Sequence, residues 1–200
     1  MPLQIALTRS ERWMDACCTL VNTLTTEQSD RARVSASLHH LGIEHYTGIH
    51  VLVAAGVHGS AFALYRPQLE AYVRGAWYHL CAEEVEIERF LKGNEPPKYG
   101  RLVADLEKHG AYDGGSLSSM KSNVWANLND FTHGGAIQVK ARNSGDEIAQ
   151  NFKPEHVAGL LTSAATTALL CGVGIAAVCS QDALAVRLRD AYRACYQEAA

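Results

Sequence analysis

The sequence is missing the spaced cysteine pairs of a zinc knuckle or a disulfide framework. Its cysteines, Cys17, Cys18, Cys81, Cys171, Cys179 and Cys195, are scattered, and none forms C-x-x-C. That pattern fits reduced thiols in a cytoplasmic protein. It has no H-E-x-x-H and no Glu-x-x-His, so neither a zincin nor a di-iron bundle is expected despite 9 histidines. Metal ligands and cofactors are therefore not expected. G-x-S-x-G and the P-loop are absent too, and Gly172-Val173-Gly174 lacks the rest of a dinucleotide fingerprint. No basic stretch precedes an apolar core at the N-terminus, so no secretory signal is expected. Basic excess is lacking as well. The net charge is -3, which does not call for a nucleic-acid partner and leaves open only a local basic patch.

Apolar material is plentiful. Hydrophobic residues make up 48% of the 200 positions, enough for a real core. Apolar positions recur with a period near 3.6 over most of the chain. The expected fold is all-α, an antiparallel bundle of about six to eight helices in one domain, 1–200. Helices are expected from Ser10, as a cap, to near Thr25, from Ser29 to near Ala55, and from Ser60 to near Ala82, with Pro67 kinking the third or marking its start. The acidic run Glu83 to Glu88 reads as a solvated helical continuation. Further helices are expected near Lys98–His109, Leu117–Thr132, Pro154–Cys179 and Gln181–Gln197. Ala136 to Arg142 alternates apolar and polar residues and reads as extended.

Val157 to Gln181 carries no charge and is long enough to span a bilayer. It is rich in Ala, Gly, Thr and Ser and has no flanking aromatic belt, which fits the central helix of a bundle better. A membrane partner is not expected.

Two stretches stand out chemically. Arg66, Glu70 and Arg74 follow at i, i+4 and i+8, sharing a stripe with Trp77 and Cys81. Two guanidiniums around one carboxylate leave surplus positive charge for a carboxylate or phosphate. His133 ends the segment Trp125 to Gly135, where helix-end carbonyls favour its charged form. These residues, Arg66, Glu70, Arg74 and His133, are the candidate ligand-binding set, for an anionic small molecule. A simple ion-pair ladder and a C-cap histidine are the plainer readings of the same residues.

The strings Phe90-Leu91-Lys92-Gly93, Pro96-Pro97 and Leu128-Asn129-Asp130-Phe131-Thr132-His133-Gly134-Gly135 resemble an uncharacterised bacterial family, a domain of unknown function marked by LND[FY]THGG. The resemblance implies an all-helical fold and an intracellular bacterial setting, and no activity. Arg74 to His79 also resembles the Arg-x(4–6)-His pattern of HEPN-type helical ribonucleases, as does Arg33 with His39 or His40. That resemblance implies a metal-independent nuclease in which Arg74 holds the scissile phosphate and His79 moves protons. Five helical residues turn about 140°, so the two side chains would point apart on a regular helix. Three function classes follow: a binding or regulatory module, a HEPN-like ribonuclease, and a structural protein that forms a homo-oligomer.

Overall fold

The computed structural model describes residues 1–22, 24–26, 28–110, 112 and 115–196, with only the backbone at Asn123. The chain is all-α. Its helices are α1 (Leu3–Val21), α2 (Asp30–Ala54), α3 (His58–Leu80), α4 (Glu84–Leu91), α5 (Tyr99–Lys108), α6 (Ser116–His133), α7 (Ala136–Lys140), α8 (Pro154–Val178) and α9 (Asp182–Tyr196). Between α7 and α8, β1 (Asn143–Ser144) and β2 (Glu147–Ile148) form a small antiparallel hairpin. The helix count among the described residues thus exceeds the expected six to eight by one; α4 is a separate helix with its own capping box at Glu83 rather than a continuation of α3, and α7 is unexpected.

That helix corrects the expectation of an extended segment after Gly135. Apolar-polar alternation over so few residues is weak against a local cap. The Asp130 carboxylate accepts from Ile137 N at 3.0 Å and satisfies a free donor of the first turn of α7. The α7 residue Gln138 is buried and donates to Gly59 O and Phe131 O, which docks the short helix onto α3 and α6.

Ser10 is also corrected. It caps nothing, because α1 starts at Leu3; it is a buried mid-helix residue. Its hydroxyl meets Tyr46 Oη at 2.8 Å and His50 Nδ1 at 3.0 Å, joining α1 to α2. Ser29 does act as expected and accepts from Ala32 N at 3.2 Å.

Pro67 sits inside α3. Its ring removes the donor that would reach Ala63 O. Thr132 Oγ1 of α6 lies 3.4 Å from that carbonyl, so the proline opens a point at which α6 contacts α3.

The most extensive packing is between α2 and α3, and α8 lies against α1, α2, α3 and α9. By length and composition α8 could cross a bilayer. In this fold it runs through the core, with Val157, Leu161, Ala164, Ala165, Ala168 and Cys171 fully inaccessible. Small side chains let the neighbouring helices approach α8 on several sides. On the outer side, α5 and α6 pack on α3 and carry the residues of the candidate site.

Candidate functional site

On α3, one helical turn separates Arg66 from Glu70 and another separates Glu70 from Arg74, so all three lie on one stripe. Arg66 Nε donates to Glu70 Oε1 at 2.9 Å, and Arg74 Nη2 donates to Glu70 Oε2 at 2.9 Å. The carboxylate is thus divided between two cations. The side chains are 22%, 18% and 36% exposed for Arg66, Glu70 and Arg74, so the ladder is partly covered.

The cover comes from α5 and α6. Arg66 Nη1 donates to Asn129 Oδ1 at 2.7 Å and contacts His133 Nε2 at 3.0 Å. Asn129 and His133 are themselves i and i+4 on α6, so one guanidinium nitrogen meets both. The Arg66 guanidinium lies 4.9 Å from the centre of the Trp125 ring, and Trp125 stacks on Tyr99 of α5 at 4.2 Å. One arginine therefore holds α3 to α6 with its edge and its face together. Burial, and next the charge of Glu70, raise the Tyr99 hydroxyl above its ordinary value.

Arginine has only donors, so in the contact between Arg66 and His133 Nε2 is the acceptor. The helix end itself is as expected: Gly134 adopts φ 69° in the left-handed region and stops α6.

A family model described as a family of unknown function, DUF6988, matches residues 39–198. The chain belongs to this family. No curated protein matches the chain, and no solved structure does. The DUF6988 match takes in α3 and α6, and with them every residue of the cluster around Arg66.

The structure joins Arg66, Glu70 and His133 directly and attaches Arg74 through Glu70. His79 lies elsewhere. It lines a cavity of about 640 Å³ among α2, α3, α6 and α8, whose described lining includes His39 and Tyr72 and does not include Arg74. The two residues of the ribonuclease reading thus face different surroundings. Burial, then the charges of Arg31 and His109, hold the His79 ring below the usual histidine range. His45, His50 and His58 do not gather either: among the described residues no three of His, Cys, Asp and Glu are grouped to hold a metal ion.

Sequence reasoning missed the cavity and the part His39 plays in it. The available signal was Gly75 and Gly174, two glycines inside helices where glycine weakens the helix unless something must come close.

Proposed function

We propose that this DUF6988 protein is a non-catalytic binding module, and that the cluster between α3 and α6 receives an anionic group, a carboxylate or a phosphate. The observation that carries this reading is the charge count at Glu70. Its two oxygens are used by two guanidiniums, so the cluster retains one net positive charge, and Arg74 is the more exposed of the two arginines. Arg66 is already ordered by Glu70, Asn129, His133 and Trp125, so little side-chain entropy remains to be lost when a ligand arrives. Among the described residues, Arg74 bonds only Glu70 and keeps most of its N–H groups for a ligand. A regulatory role follows from position, because a ligand on this cluster would strengthen the attachment of α6 to α3. The six free cysteines fit a reducing, cytoplasmic setting.

The test is a thermal melt in inorganic phosphate against sodium chloride of equal ionic strength. A ligand at 100 times its Kd adds about 2.7 kcal/mol, which in a chain of this size raises Tm by about 5–11 °C. Arg74→Gln should lose the phosphate-specific part of that rise. Equal shifts in the two salts, or an unchanged phosphate shift in Arg74→Gln, would overturn the reading.

A further inference from the structure

We propose that the cavity among α2, α3, α6 and α8 is a binding site for a neutral, largely apolar small molecule bearing one hydroxyl, which pairs with the His39 ring beside the Tyr72–Tyr112 hydroxyl pair. This site is separate from the cluster at Glu70, and neither reading depends on the other.

Size and lining come first. A volume of about 640 Å³ falls within the range of small-molecule sites. The walls are mainly apolar, with Leu80, Leu117, Met120 and Val173 among them. The described lining contains no Asp, Glu, Lys or Arg. An ion entering would lose its hydration without gaining a counter-charge, so the occupant is neutral.

His39 supplies the polar end. It is 1% exposed, and its Nδ1 is buried with no hydrogen-bond partner among the described residues. The position is built rather than incidental. A Cβ on Gly75 of α3 would fall 2.9 Å from the ring, and one on Gly174 of α8 would overlap it. Two helices thus carry glycine where the imidazole of a third must fit. The edge of the ring bearing Nε2 faces Gly174, which is itself on the cavity wall.

Burial, reinforced by the nearby His79, pulls His39 down to about 3, so the ring is neutral at ordinary pH. Because no described residue bonds Nδ1, both tautomers are accessible and Nε2 can donate or accept. A hydroxyl can do both in return. Tyr72 Oη and Tyr112 Oη lie 3.1 Å apart on the same wall, and only one of them donates to the other, which leaves a second hydroxyl hydrogen for the ligand.

The experiment uses 1-N-phenylnaphthylamine, a neutral apolar fluorophore, titrated into the full chain and then competed with 1-naphthol, naphthalene and 1-naphthoate. The fluorophore should brighten. Naphthol should displace it at concentrations about tenfold lower than naphthalene, the factor of one net hydrogen bond, and naphthoate should displace it poorly. Met120→Trp, which fills the cavity from α6, should abolish the signal. Where that variant fails to fold, Val173→Phe fills it from α8, and the competitor series on the unmodified chain decides alone. Absence of fluorophore binding, or binding unchanged in a folded filled variant, would overturn the site. Equal potency of naphthol and naphthalene would overturn the hydroxyl, and naphthoate as potent as naphthol would overturn the neutral class.

Discussion

Replacing Glu70 by alanine removes one side chain and leaves two guanidiniums facing each other. Both lost pairs are at 2.9 Å, in a stripe where the partners are only 18–36% exposed. A fully exposed pair is worth about 0.2–1 kcal/mol, and a covered hydrogen bond to a charged group about 1.5–3 kcal/mol. Partial exposure puts each of these pairs between the two limits. Arg66 keeps Asn129, His133 and Trp125, so its guanidinium stays in place and cannot escape the repulsion by moving into water. The expected loss is about 1–3 kcal/mol, or about 2–12 °C in Tm for a chain of this length. A melt followed by far-ultraviolet circular dichroism measures it. Glu88→Ala is the control, because the Glu88–Lys92 pair has the same i, i+4 spacing but is 64–71% exposed. That variant should melt within error of the parent. Added salt should recover part of the Glu70→Ala loss by screening the two cations. If Glu70→Ala melts no lower than Glu88→Ala, the ladder is solvated and does not bear on the docking of α6.

Three further outcomes are expected. Gly174→Ala should destabilise the fold by about 1–3 kcal/mol in urea unfolding, because the new methyl group overlaps the His39 ring; a neutral result would mean the ring is free to move aside. Asp130→Ala should cost about 0.5–2 kcal/mol through loss of the cap on Ile137 N, and Asp130→Asn should recover most of it in the same melt. The third concerns pH. His39 falls from its ordinary 6.5 to about 3 on folding, so between those values the unfolded chain binds the proton and the folded chain does not. Stability is therefore full above about pH 6.5 and falls as the pH drops, by about 2 kcal/mol at pH 5 from this residue alone. His45, His50 and His79 are also lowered by burial and act in the same direction. Urea titrations at several pH values should show the slope, and His39→Gln should flatten it; a slope unchanged in that variant would refute the assignment.

By itself, the sequence determined the helices and the partners within each of them. A period of 3.6 is a local property, and so is the i, i+4 spacing that sets Glu70 between Arg66 and Arg74. Ser29 as a cap, Gly134 as a stop, and α8 as a core helix follow from the same short-range chemistry. Local pattern failed where a distant group intervened. Ala136 to Lys140 reads as extended until Asp130 is seen to cap it. Ser10 reads as a cap until Tyr46 and His50 are found on its hydroxyl. What only the tertiary structure decided was which helices are neighbours. Arg66 meets His133 across 67 positions of chain. The cavity joins four helices, and no single stretch of sequence encodes its shape. Helix periodicity states which face of a helix is apolar and leaves open what that face will meet. That is why the cluster at Glu70 was half legible, while the slot that Gly75 and Gly174 form around His39 was not.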